Sequence, residues 1–463
     1  MLELDFNNVL YSVLGPSHSI GEPELFNAIK DNSRICQEIL DERKEHKHAF
    51  LDLPYQDLAD IISFARANAK KYENVVILGI GGSALGARTL LEALKPPFYN
   101  FMSAKERKGF PRIFILDNID SAETKALFQI INPRKTLFNV VSKSGETTET
   151  IASLLVTLSV LKKKAGKNYR KNLVITTDKA KGFLRRLAEQ EGFVSFNTSD
   201  DVQGRYAVLS PVGLLPAALI GIDIKKILKG AAAVDNMAKS AGPQSNPAYL
   251  AALINFIYDR EKNKNILVMM PYSAQLKGFA EWLRQLYPES LGKRYDRDNK
   301  EVYTGPTVMN ALGVTDQHSQ IQLYNEGPNN KLIVFVEVES VRDRLIMARF
   351  NDESSSFLAG RTLHELMQIE KKATEYALVQ SRRPNYTIRL KEISEESIGA
   401  LLYFWQLATA YAGKLYKVNP YNQPGVEAGK RATFGLMGKK GFEKEVADIS
   451  SAITKNKHWV LKI

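Results

Sequence analysis

Four short apolar runs, separated by stretches of helical spacing, constrain the fold of this chain more than any other feature. They are Asn74-Val75-Val76-Ile77-Leu78-Gly79, Arg112-Ile113-Phe114-Ile115-Leu116-Asp117, Leu137-Phe138-Asn139-Val140-Val141-Ser142 and Asn172-Leu173-Val174-Ile175-Thr176-Thr177. Continuous apolar runs read as strands buried on both faces, as in a parallel sheet. Residues 84–94, 121–131 and 149–161 lie between them as helical segments. Strand–helix alternation predicts a doubly wound α/β domain, an α-β-α sandwich around a mainly parallel sheet. A second alternation follows, with its clearest strands at 265–270 and 331–338. The helical stretch 224–258, interrupted by Gly242-Pro243, separates the two.

Length agrees with two cores. The chain has 463 residues, and single cores stop growing near about 250–300. The expected organisation is a helical segment over 1–70, a first α/β domain over 71–225, a second over 226–394 and a C-terminal helical arm over 395–463. In that arm Leu401, Leu402, Trp405 and Leu407 make an apolar stripe that reads as core. The tail from 419 onward reads as loop, then short helices.

The net charge of +12 raises the question of an anionic partner. Nucleic-acid binders cluster Lys and Arg in a patch or stripe, whereas here they are spread along the chain, often beside Asp or Glu. The densest basic stretch, 162–171, reads as a solvated helix end and loop. An anionic small substrate suits the balance better than nucleic acid. The only cysteine, Cys36, excludes an intramolecular disulfide and a paired-cysteine motif, and fits a reducing compartment. The first residues lack the basic start and apolar core of a secretory signal. The richest apolar segment, 208–222, is broken by Pro211 and Pro216, so no membrane span is expected. These features together predict a cytoplasmic protein.

Ligands of an open parallel sheet sit beyond the carboxyl ends of its strands. One such end is Gly79-Ile80-Gly81-Gly82-Ser83-Ala84-Leu85-Gly86, where glycines allow close backbone approach and a helix N-terminus follows. Gly79, Gly81 and Ala84 imitate a dinucleotide fingerprint. The acidic partner belongs about 20 residues further on, and the nearest strand-end acid, Asp117, is too far. The other end is Ser142-Lys143-Ser144-Gly145-Glu146-Thr147-Thr148-Glu149-Thr150. Its hydroxyls either cap the following helix or, with the helix amides, cradle a phosphate. Without a Gly-Lys-Ser/Thr ending it suits a phosphomonoester better than a triphosphate.

The Ser142–Thr150 stretch resembles the phosphate loop of the sugar isomerase (SIS) fold. Four further stretches resemble signatures of the phosphoglucose isomerase family. They are Gly204-Arg205-Tyr206-Ala207-Val208-Leu209-Ser210, Gln285-Leu286-Tyr287-Pro288-Glu289-Ser290-Leu291-Gly292-Lys293, Asp316-Gln317-His318-Ser319-Gln320, and Asn419-Pro420-Tyr421-Asn422-Gln423-Pro424-Gly425-Val426-Glu427-Ala428-Gly429-Lys430. They follow the family's order from Gly79 to Lys430. Gln203, Ala207 and Asn422 depart from its usual glycine, serine and aspartate. Gly145 and Glu146 replace bulkier or hydroxyl residues.

The resemblance implies two SIS-type domains and a metal-free, cofactor-free aldose–ketose isomerase acting on glucose 6-phosphate and fructose 6-phosphate. Moving a proton between adjacent carbons needs a base, help with ring opening and a cation near the enediolate. By resemblance Glu289 is the carbon base, and His318 and Lys430 assist ring opening. His318 would reach the site of a partner subunit in a homodimer, its tautomer set by the flanking amides and serine. Lys430 would be presented inward by the turn 425–429. Arg205 would stabilise the enediolate. Gln285 and Gln423 would bind sugar hydroxyls, and Gly82 and Ser83 would touch the ring or phosphate side. Ser142, Lys143, Ser144, Thr147 and Thr150 would hold the phosphate. His18, His46, His48, His364 and His458 read as surface residues, with His46 and His48 facing a charged loop rather than a metal. A dual phosphoglucose/phosphomannose isomerase and a non-catalytic sugar-phosphate sensor are the alternatives on the same fold.

Overall fold

A computed structural model describes residues 2–350, 352–452 and 459–461. The chain opens on a strand, β1 (Leu2–Asp5), within a segment expected to be helical. Its Leu-Glu-Leu-Asp alternation suits an edge strand, and Arg389 pairs with Asp5 at 2.8 Å. Helices Glu22–Asp31, Arg34–Lys44 and Ala59–Asn68 follow in that segment.

Five strands follow: β2 (Asn74–Leu78), β3 (Arg112–Leu116), β4 (Thr136–Ser142), β5 (Leu173–Asp178) and β6 (Val194–Thr198). They pair in parallel in the order β3-β2-β4-β5-β6. Every residue of β2, β4 and β5 is buried, so their sequences have no polar face to alternate. Edge strand β6 lacked such a signal because Ser195, Asn197 and Thr198 dilute it.

The second half begins with β7 (Ile266–Pro271). A ribbon of β8 (Lys293–Tyr295) and β9 (Glu301–Thr304) leads into β10 (Thr307–Asn310), β11 (Lys331–Val338) and β12 (Asn385–Leu390). The sheet order is β1-β12-β11-β7-β10, parallel except for β1. In each sheet the first parallel strand (β2 or β7) lies between the second (β3 or β10) and the third (β4 or β11). The halves therefore share one winding, although sequence identity between them is not evident. Beside β2 the chain reverses its direction of winding, and the carboxyl ends of β2 and β4 flank that point. Such a switch point is where this class of sheet binds ligands.

The helix Glu395–Leu415 is buried at every residue from 397 to 413. The expected stripe is thus core on all sides, as in a helix enclosed by others. It packs on the helices Ile224–Ser240, Pro247–Arg260 and Lys277–Leu291. Only beyond it does the chain form an exposed arm, the helices Glu427–Leu436 and Glu443–Ala452. Lys162, Lys163 and Lys164 are exposed at the end of the helix Thr148–Ala165. Among the described residues no helix is long and apolar enough to cross a membrane. Cys36 is buried, and burial pushes its thiol up to about 12.

Candidate active site

The glycine turn after β2 packs against the turn Gly204–Leu209. A Cβ on Gly82 would lie 2.1 Å from the carbonyl carbon of Gly204 and 2.6 Å from the Arg205 nitrogen, so only glycine permits this approach. It brings Arg205 to the carboxyl end of the first sheet. Its side chain is 1% exposed, and all five N–H donors are committed. Nε donates to Ser290 Oγ at 2.8 Å. Nη1 donates to Glu289 Oε1 and Gln423 Oε1, each at 3.0 Å. Nη2 donates to the carbonyls of Pro420 at 2.7 Å and Asn422 at 3.1 Å. Asn422 therefore holds Arg205 through its backbone, so its departure from the family's usual aspartate leaves this contact intact.

Glu289 sits in the last turn of the helix Lys277–Leu291, one turn after Gln285. Its carboxylate is 29% exposed, with Oε1 on Arg205 and Oε2 accepting from Gln285 Nε2 at 2.9 Å. Gln285 Oε1 is buried with no hydrogen-bond partner. It is a spare acceptor beside the carboxylate.

The loop after β4 is shaped by Gly145 at φ +66°, where a Cβ would lie 2.9 Å from Thr177 Oγ1. A bulkier residue there would need both a left-handed backbone and room beside β5. Thr147 precedes the helix Thr148–Ala165 but makes no side-chain cap; its Oγ1 lies 2.7 Å from Ser142 Oγ. The first-turn amides are thus left uncapped by that hydroxyl. Ser144 is exposed, its Oγ accepting from the Glu146 amide at 3.2 Å. Thr150 is buried, with an unpartnered hydroxyl, and lines a crevice with Gly79, Ile80 and Asp117. Ser83 is half-buried in the glycine turn. Lys143 is half-buried; burial lowers its pKa, Asp200, Asp201 and Asp178 oppose the shift, and the nearby Arg205 adds to it. Arg205 and Lys143 thus lie near one another at this end of the sheet, the first paired with Glu289 and the second facing Asp200, Asp201 and Asp178, beside first-turn amides that a ligand could reach.

Two expected residues are not gathered here. His318 is exposed on the turn Thr315–His318, and its ring has no hydrogen bond among the described residues. The flanking groups do not set its tautomer: Gln317 bonds Tyr272 and Glu370, and Ser319 bonds Asp316. Lys430 is not presented inward. It is exposed on the helix Glu427–Leu436 and pairs with Glu427 at 2.8 Å. No hydrogen bond or ion pair joins either residue to Arg205 or Glu289 among the described residues.

His48 was expected at the surface facing a charged loop. Instead it is half-buried, with its ring 3.8 Å from that of Tyr421 and Nε2 3.4 Å from Glu42. His458 lies outside the described residues. Asp117 pairs with Arg88 at 2.7 Å. Ser290 and Lys293 are additions to the expected site: Ser290 receives Arg205, and Lys293 bonds the carbonyls of Glu289 and Ser290. Their signal was that both lie in the same motif as Glu289, although Lys293 falls beyond the helix, in β8.

Comparison with known proteins gives this geometry its family. A family model described as phosphoglucose isomerase matches residues 58–454. The glucose-6-phosphate isomerase of Carboxydothermus hydrogenoformans is 43% identical over 454 residues, covering 97% of each chain. That of Rubrobacter xylanophilus is 45% identical over 370 residues, covering 79% of this chain and 83% of the relative. Among solved structures, a hypothetical protein from Thermus thermophilus superposes with a TM-score of 0.84. It is 34% identical, covering 95% of this chain and all of the other. With a family model over most of its length and a relative this similar across nearly all of it, the chain belongs to the phosphoglucose isomerase family.

Proposed function

We propose that this chain interconverts glucose 6-phosphate and fructose 6-phosphate by ring opening and proton transfer through an enediolate. The observation that carries this reading is the Glu289 carboxylate, held between Gln285 and an Arg205 that lies near Lys143, in a chain of this family. The phosphate docks on Ser142, Lys143, Ser144 and Thr147 and on the amides that start the next helix, with Ser83 lining its approach; Thr150 and Gly82 are buried and support the two turns from beneath. Gln285 and Gln423 receive sugar hydroxyls.

Glu289 takes the proton from carbon 2 and returns it to carbon 1. When it does so, its negative charge disappears and reappears on the enediolate oxygen. Arg205 lies beside both positions, so one fixed cation serves reactant and intermediate without reorganising. Its donors are already committed, which makes its contribution chiefly that of a held charge.

His318 and Lys430 act on the ring oxygen and the anomeric hydroxyl. His318 serves the site of a second copy in a homodimer; its exposed turn and its lack of a bond to Glu289 among the described residues support that division of labour. Lys430 reaches the ring by leaving Glu427. The reaction proceeds in the cytoplasm, where a single free cysteine is at home.

The test is a coupled assay converting fructose 6-phosphate to glucose 6-phosphate without added metal. Glu289→Gln is expected to lower kcat by about 10²–10⁴-fold, the usual worth of a general base. Unchanged turnover in that variant overturns the assignment. Mannose 6-phosphate in the same assay separates a single-substrate from a dual-substrate enzyme.

A further inference from the structure

The motif that carries Glu289 ends on a lysine without a part in the proton chemistry above. Lys293 is 7% exposed. Its Nζ donates to the Glu289 carbonyl at 2.9 Å and to the Ser290 carbonyl at 2.7 Å. No carboxylate lies within ion-pair distance of it among the described residues. The charged groups facing it are Arg205 and Glu289, and burial brings its pKa down to about 8. Burying a cation without a counter-ion is costly, so its position calls for a reason.

The local backbone supplies one. Pro288 lies inside the last turn of the helix Lys277–Leu291 and has no N–H for the carbonyl one turn earlier. The turn that presents Glu289 therefore lacks a rung. The carbonyls of Glu289 and Ser290, at the helix C-terminus, have no following helical amides. Lys293 bridges both, and a cation is the favoured group at that end of a helix. Those same two residues also hold Arg205, Glu289 through Oε1 and Ser290 through Oγ.

We propose that Lys293 is a positioning residue for the proton transfer: its ammonium clamps the carbonyls of Glu289 and Ser290 and so fixes the Glu289 carboxylate against the substrate. This inference rests on Glu289 being the carbon base. Small displacements of a reacting group cost up to about a hundredfold in rate. Lys293→Met is therefore expected to lower kcat by roughly ten- to a hundredfold while leaving KM for fructose 6-phosphate within about twofold. Lys293→Arg, which keeps a cation able to reach two carbonyls, is expected to recover most of that loss.

The deciding measurement is a cycle with Glu289→Gln. In that background Lys293→Met is expected to remove no further turnover, because its effect passes through Glu289. Unchanged kcat in Lys293→Met overturns the proposal, as does the same fold-loss in both backgrounds. Where the methionine variant does not fold, Lys293→Gln is read by the same criteria. Full activity in Glu289→Gln alone refutes the base assignment itself. An inactive Glu289→Gln beside a fully active Lys293→Met refutes only the clamp.

Discussion

Arg205, in the turn that follows β6, and Glu289, in the last turn of the helix Lys277–Leu291, meet at 3.0 Å across 84 positions of sequence. The guanidinium is enclosed and the carboxylate stands partly in solvent. Arg205 thus joins three separate stretches of chain: its own turn, the Glu289 helix and the loop at 420–423.

Arg205→Lys tests that junction. A lysine keeps the charge but offers three donors from one point in place of a planar fork of five. It cannot satisfy Ser290, Glu289, Gln423, Pro420 and Asn422 together. Each buried acceptor left alone costs about 1–3 kcal/mol. The variant is expected to be less stable in urea titrations by about 3 kcal/mol and to lose kcat more than KM. Equal stability and turnover would show the fork to be dispensable.

Gly82→Ala separates close packing from charge. The added methyl would meet the backbone of Gly204 and Arg205, which has no flexible end to move aside. The glycine turn must therefore shift away from Arg205. Overpacking of this kind costs about 1–3 kcal/mol, and the same shift displaces the guanidinium. Thermal unfolding and steady-state kinetics should fall together. A variant with normal melting and normal kcat would mean that the turn moves freely.

The phosphate loop should affect binding more than chemistry. Ser142 and Thr147 share a hydrogen bond, whereas the Glu289 carboxylate bonds Arg205 and Gln285. Replacing Thr147 with valine removes one donor to a charged ligand, worth about 1.5–3 kcal/mol. KM for fructose 6-phosphate is expected to rise at least about tenfold with kcat little changed. A fall in kcat at constant KM would place Thr147 in the chemistry instead.

Lys293 gives stability a pH signature with a definite sign. Its pKa is about 8 in the folded chain, against an ordinary value of 10.5. Between these values the unfolded chain binds more protons, so this group makes stability rise with pH. Below about 8 its buried charge exerts its full cost, and above about 10.5 that cost is gone. Urea titrations of the wild type and Lys293→Met at about pH 7 and about pH 10 read the effect. Relative to the variant, the wild type is expected to gain stability at the higher pH. A constant difference would mean that Lys293 titrates normally.

Much of the scaffold was legible because burial on both faces leaves a mark in sequence. β2, β4 and β5 are buried throughout, and apolar stretches such as Val75 to Leu78 and Leu173 to Ile175 mark them despite the buried Asn139 and Thr176. β6, β10 and β12 carry Asn or Thr within short strands, and no local pattern distinguishes them from loops. β12 is illustrative: its buried Thr387 accepts from Lys371 at 2.8 Å, a partner outside the strand. The enclosure of 397–413 depended on three other helices and was visible only as a stripe. At the site, motif order named Arg205, Glu289 and Gln285. That Arg205 has no free donor, or that Lys293 lies beneath Glu289, depends on chain segments far apart and has no local signature.

The positions of His318 and Glu289 lead to the most demanding prediction. If each active site takes Glu289 from one copy and His318 from the other, two inactive variants should repair one another. Glu289→Gln and His318→Ala, each purified, are expected to show little turnover alone. Denatured together and refolded, they form mixed dimers in which one site holds two mutations and the other none. Random pairing makes about half the dimers mixed, with one of two sites intact, so about a quarter of wild-type activity should return. The recovery should depend on the mixing ratio and peak at equal amounts. Mixing without unfolding should give less, at a rate set by subunit exchange. No recovery from a mixture that demonstrably contains mixed dimers would place both residues in a site built by one chain. His318 would then have to reach Glu289 by moving its own turn, which the bonds of Gln317 to Tyr272 and Glu370 oppose.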